Sequence, residues 1–276
     1  MSELWSELLV VGLALLTSTI GSIGGLGGAI LLVPLLTLGD MSIAEAAPLG
    51  LVSVIAGSVA AGRRQTSDGI VNHRFGIVTE LGATFGAIVG VLLAGELSDR
   101  VLTLVLAAVA LVAGVGGAWR RGIRWKPDPT LRADDVGERH GSLAGVYRLG
   151  DQAVPYAPAR MPLGVALMAV SGMVTGLAGV GGGFLKTPLS SEVMRLPAKV
   201  AAGTSTFTIG LTASTALLLM VIDGRVNVSD AALVVIGALA GGTFGSLLQR
   251  RMSPPVVRRA TAALLVVIAV ILVLRA

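Results

Sequence analysis

Lys186 lies within Gly-Gly-Phe-Leu-Lys-Thr-Pro, inside a stretch otherwise free of charge. An ammonium in such a setting costs several kcal/mol, about 2.5–3.5 on insertion scales, unless it reaches water or meets a counter-ion. Two readings follow. The lysine is an electrostatic partner for an anion, or it snorkels toward the membrane face near Glu192 and Arg195. The first is favoured. Thr187, Thr204 and Ser205 are neutral donors able to complete an anion's coordination without adding charge, whereas Thr208 is expected to bond its own helix backbone.

Glycines precede this lysine. Gly179-Val180-Gly181-Gly182-Gly183 leads into a short apolar run interrupted by Pro188, and Gly24-Gly25-Leu26-Gly27-Gly28 leads into one interrupted by Pro34. A helix broken inside a bilayer leaves backbone N–H groups without partners, and the next helix's first turn aims them, with a partial positive charge, into the gap. An oxyanion suits that gap. The other reading is that the glycines only permit close helix packing. The candidate anion ligands are therefore Gly27, Gly28, Gly181, Gly182, Gly183, Lys186, Thr187, Thr204 and Ser205. Glu80 also has two readings. As a desolvated carboxyl it is a candidate proton-coupling group. Its nearness to the start of its helix favours instead a pair with a neighbouring arginine.

Other chemistries lack their residues. Cysteine is absent, which removes disulfides, thiol catalysis and thiolate metal sites. His73 and His140 fall beside charged loop residues, and no HExxH or GxSxG motif occurs. No catalytic residue, metal or cofactor is expected, and the chain is not read as an enzyme.

The elements that position these residues follow from composition. With 54% hydrophobic and 13% charged residues among 276, the chain cannot clothe a soluble globule. Uncharged stretches of membrane-spanning length recur without the alternation of a membrane β-barrel, so an all-α polytopic membrane protein, multi-pass in a lipid bilayer, is expected. The N-terminal residues carry Glu3 and Glu7 and no basic residue, which reads as a retained first helix. The net charge of +5 comes from loop Lys and Arg beside apolar segments, the positive-inside pattern and not a nucleic-acid stripe.

The chain repeats itself at an offset of 154 to 155 residues. Gly28, Leu31, Pro34 and Leu35 match Gly182, Leu185, Pro188 and Leu189; Asn72 matches Asn227; Gly82, Gly86 and Gly90 match Gly237, Gly241 and Gly245. The repeat mate of Lys186 is Leu32, so the fold itself requires no cation there. Residues 1–119 form a first transmembrane repeat, 120–160 a cytoplasmic linker and 161–276 a second repeat. Leu8 to Gly39 carries no charge and would be about 48 Å long as one helix, too long for one crossing. Helices are expected near 4–23, 26–38, 43–62, 75–95, 100–119, 162–178, 181–190, 198–222, 229–249 and 256–275. Counting five segments per half puts 17 Lys and Arg on the linker side and 3 on the other; counting four gives 13 and 7. The positive-inside rule favours five, and an odd number makes the repeats inverted.

GGLGGAILLVPLL and GVGGGFLKTPL, with AAGTSTF from Ala201, resemble the paired signatures of the TauE/SafE sulfite-exporter family across both halves. The first half reads AAPLGLVS where the second has its Thr-Ser pair. The resemblance implies a prokaryotic cell-membrane carrier of sulfite, thiosulfate, small sulfonates or related organic acids, driven by an ion gradient. The proton is the candidate coupling ion. Alternating-access transport of a small anion is the expected function, with a passive anion channel as the alternative.

Overall fold

The computed structural model describes residues 2–24, 28–119, 137–149, 152–248 and 254–275. It is an all-α bundle of the kind expected for a polytopic membrane protein. The helices of the first half are α1 (Ser2–Gly24), α2 (Ala29–Leu38), α3 (Ile43–Ser67), α4 (His73–Glu96) and α5 (Asp99–Trp119). Those of the second are α6 (Met161–Ala178), α7 (Gly183–Pro188), α8 (Ala198–Ile222), α9 (Val228–Leu248) and α10 (Pro254–Arg275). Six of them, α3, α4, α5, α6, α8 and α9, contain described stretches long and apolar enough to cross a membrane. Large apolar side chains such as Leu81, Phe85 and Leu92 on α4 lie on the outside, as a hydrocarbon solvent requires.

Both long apolar runs break where the glycines and prolines stand. Gly179, with φ +66°, ends α6 by accepting the left-handed turn that closes its last carbonyls. Gly181 repeats that φ of +66° before α7 begins. Pro188 ends α7, and the chain continues as a π-turn over Leu189–Val193. Pro34, in contrast, is carried inside α2. The chain leaves both broken helices alike: Asp40 (φ 69°) and Arg195 (φ 59°), one repeat apart, are both left-handed.

Glycine also sets the main helix pairs. On α4, a Cβ at Gly82, Gly86 or Gly90 would strike the carbonyl oxygens of Val165, Ala169 and Met173 on α6. On α9, a Cβ at Gly237, Gly241 or Gly245 would strike those of Val11, Leu15 and Thr19 on α1. Backbones therefore touch, and packing replaces the hydrophobic drive that lipid cannot supply. The further pairs are α5 with α10 and α3 with α8.

The linker holds what its composition did not announce. Residues Gly137–Glu138 (β1), Gly145–Leu149 (β2) and Gln152–Tyr156 (β3) form an antiparallel sheet in the order β1-β2-β3. Its apolar side packs Tyr147, Val154 and Tyr156 against Phe75 of α4, Met168 of α6, Val200 and Ala201 of α8, and Met194 and Leu196 of the segment that leads into α8.

Candidate functional site

The chemistry converges on three helices. Glu80 lies two turns into α4, Lys186 lies on short α7, and Thr212 lies near the middle of α8. All three side chains are buried. Lys186 Nζ donates to Glu80 Oε2 at 2.6 Å and to Thr212 Oγ1 at 2.6 Å. The Thr212 hydroxyl in turn donates to Glu80 Oε1, which closes a ring of three groups. Thr212 is about 21 Å from the start of α8 and about 15 Å from its end, so the ring lies deep in the span.

Lys186 is 1% exposed and ion-paired, which rules out the snorkelling geometry. The expectation that Glu80 pairs with a neighbouring arginine is overturned. Arg74, the arginine nearest in sequence, turns to Glu138 and to the carbonyl of Arg139 in the linker. Glu80 instead meets the lysine from 106 residues away, a contact that proximity in sequence could not reveal.

The break that carries Lys186 is held from several sides. Gly179 and Gly181 pack on Ala47 and Val54 of α3, Gly181 also lies by Ile209 of α8, and Ser171 of α6 donates to the carbonyl of Gly182 at 3.1 Å. Gly181, Gly182 and Gly183 are wholly inside the bundle. A side chain at Gly182 would strike Ser171, and one at Gly28 would strike the Ser18 hydroxyl at 2.6 Å and Cα at 2.7 Å. Both glycines therefore have a packing role. Gly27 lies outside the described residues.

The expected hydroxyls divide. Thr187 is half-buried beside Lys186 on α7. Thr204 accepts the backbone N–H of Asn72 at 2.9 Å, so its oxygen is engaged by the start of α4. Ser205 Oγ is buried and has no hydrogen-bond partner among the described residues, about two turns from Thr212 on the same side of α8. Thr208 points to the carbonyl of Ser205 at 3.4 Å, in keeping with a backbone-directed role. Thr212 was missed by sequence reasoning. It falls on the stripe Ser205, Thr208, Thr212, and that spacing of three and four is the signal that could have found it.

A second polar cluster ties the linker to α4. Asn72 caps α4 through the N–H of Phe75 and donates to Leu143 O at 2.9 Å and Tyr156 OH at 3.2 Å. Its repeat mate Asn227 caps α9 in the open, at Ser229 N. Glu138 accepts from the backbone N–H and ring of His73 and the N–H of Arg74. Burial alone would raise the Glu138 pKa, but these bonds outweigh it and hold the carboxyl below its ordinary value. Its contribution is thus present above the ordinary carboxylate range and is lost only as pH falls through the depressed value. Burial, helped by the Glu138 charge and opposed by the Asn72 bond, pushes Tyr156 up to about 12, so its hydroxyl stays neutral at physiological pH.

Comparison with known proteins agrees with this architecture. The chain is 25% identical over 256 residues to the probable membrane transporter protein YunE of Bacillus subtilis (strain 168), covering 90% of each chain. No solved structure matches it. The profile of the sulfite exporter TauE/SafE family matches residues 10–272, and with nearly the whole sequence included the chain belongs to that family of membrane transporters.

Proposed function

We propose that the protein is a secondary carrier of small sulfur-containing anions, such as sulfite, thiosulfate or small sulfonates, or of related organic acids, and that Lys186 is the cation the substrate meets. The observation that carries this reading is the buried Lys186–Glu80 pair. A lone buried ammonium is prohibitive, and removing one member of a buried pair costs about 3–5 kcal/mol. Such a lysine keeps its charge only with an anion beside it. In this structure the anion is the Glu80 carboxylate. A proton on Glu80 frees Lys186 for a substrate anion, and the site stays neutral in both states when the substrate binds as a monoanion. One proton then accompanies each monoanion taken up, which makes Glu80 the coupling group and the proton the coupling ion. Ser205, buried and without a partner among the described residues, supplies a donor along the same helix face.

Alternating access is supported by the arrangement of the halves. The contacts α4 with α6 and α9 with α1 are the same contact in repeat-matched form, and the matched residues Asn72 and Asn227 sit at opposite ends of the bundle. That is the pattern of an inverted repeat, with the linker on the cytoplasmic side by the positive-inside rule. Lys186→Met tests the reading, because it keeps length and apolar character. In proteoliposomes preloaded with sulfite, the parent exchanges labelled sulfite and Lys186→Met loses at least tenfold of that exchange. Equal exchange by both proteins would remove Lys186 from the site.

A further inference from the structure

We propose that the three-stranded sheet of the linker is a plug, filling on the linker face a vestibule whose repeat-matched counterpart on the opposite face stands open. This goes beyond the anion reading and is independent of the substrate's identity.

The open counterpart is a cavity of about 290 Å³ lined by Gly39, Asp40, Met41, Glu45, Leu49, Arg225, Asn227 and Asp230. These residues come from the end of α2, the start of α3 and the start of α9. Adding or subtracting 155 converts Met41 to Leu196, Glu45 to Val200, Leu49 to Thr204, Asn227 to Asn72 and Asp230 to Phe75. The converted positions surround the start of α4 and the start of α8. They lie at the other end of the bundle, because α3 runs from Glu45 at the cavity to Ser67 near Asn72, and α8 runs back from Thr204 toward Arg225.

Where the first set encloses space, the second encloses the linker. Leu196, Val200 and Phe75 share one buried cluster with Tyr147, Val154 and Tyr156 of the sheet. Asn72, wholly buried, spends its side-chain N–H groups on Leu143 O and Tyr156 OH, while Asn227 is exposed. Side-chain chemistry has followed the difference in solvent. The open set contains Asp40, Glu45, Arg225 and Asp230; the matched positions carry Arg195, Val200, Ile70 and Phe75, so three of the four are apolar. Polar residues suit a water-filled mouth, and apolar ones suit a face covered by protein. The plug is pinned at its edge by Glu138 on His73 and Arg74 and by the N–H of Ala159 on the carbonyl of Met194 at 2.9 Å. Opening this face therefore requires the sheet to lift away from Asn72.

The absence of native cysteine makes the test direct. Glu45→Cys, at an exposed position of the open mouth, and Thr204→Cys, at a buried position of the covered one, place one thiol in each vestibule. In the full-length protein in detergent, where both faces meet solvent, a charged methanethiosulfonate reagent is expected to label Glu45→Cys at least tenfold faster than Thr204→Cys. Adding Val154→Ala and Tyr156→Ala to weaken the plug should speed labelling of Thr204→Cys at least tenfold and leave Glu45→Cys unchanged. Ala110→Cys, in the α5 core, reports unfolding and should stay protected in that background. Equal labelling of the two thiols in the parent background would overturn the plug, as would a Thr204→Cys rate that does not respond to the two alanines. A rise at Ala110→Cys together with Thr204→Cys would also count against it, by showing that the sheet supports the whole fold and not one vestibule.

Discussion

At the scale of single residues, Lys186, Glu80 and Thr212 form one hydrogen-bonded ring in the core. Lys186 announces itself in the sequence as a cation in an apolar run. Glu80 is legible in the sequence only as an acid in a helix, and its partner is not, since the two are joined by packing of α4 and of α7 on α8. Thr212 is one of many hydroxyl residues in the apolar sequence. Its role as donor to Glu80 and acceptor from Lys186 predicts that Thr212→Val, which removes both bonds while keeping shape, weakens the ring without emptying it. A hydrogen bond to a charged group contributes about 1.5–3 kcal/mol. Thr212→Val should therefore lower thermal stability measurably and shift the pH dependence of sulfite exchange, whereas Thr215→Val, on the exposed side of α8, should do neither. Identical pH profiles for Thr212→Val and the parent would remove the hydroxyl from the coupling ring.

At the scale of elements, helix number and limits were readable because apolar runs, glycine clusters and prolines mark them within a few residues. The glycines show why their function was harder to read. Backbone donors in a broken helix and close helix packing ask for the same residue, and the structure shows Gly28 and Gly182 against Ser18 and Ser171. Loss of transport on placing leucine there would report packing first. The clearer element-scale prediction concerns the α4–α6 and α1–α9 contacts. Gly86→Leu and Gly241→Leu each force a side chain into a facing carbonyl, at a cost of about 1–3 kcal/mol or more. Both should reduce recovery of monodisperse protein, while Gly95→Leu, with nothing within 4 Å, should not. Equal recovery of all three would show that these backbones do not touch. The linker sheet was the element the sequence hid. Its strands are short, and their apolar face is completed by Phe75 of α4 and by Met194 and Leu196 of the segment before α8, so no periodicity inside the linker exposes it.

At the scale of the whole molecule, two halves related by sequence carry unequal chemistry. Lys186 has Leu32 as its mate, and the second half alone holds the Thr-Ser pair, so the ion-pair lysine comes from one half and its acid from the other. Repeat and charge pattern were enough to suggest a carrier's architecture; the pairing of the two halves across the core could come only from three-dimensional packing. The central claim is that Glu80 and the substrate anion alternate on Lys186, with a proton deciding which is bound. Glu80→Gln mimics the protonated acid permanently and so separates binding from coupling. The measurement is labelled-sulfite movement in proteoliposomes, taken once as exchange at equal pH and once as accumulation driven by a pH gradient. Glu80→Gln is expected to keep exchange and to lose the accumulation that the parent shows. Gradient-driven accumulation by Glu80→Gln equal to that of the parent would contradict it.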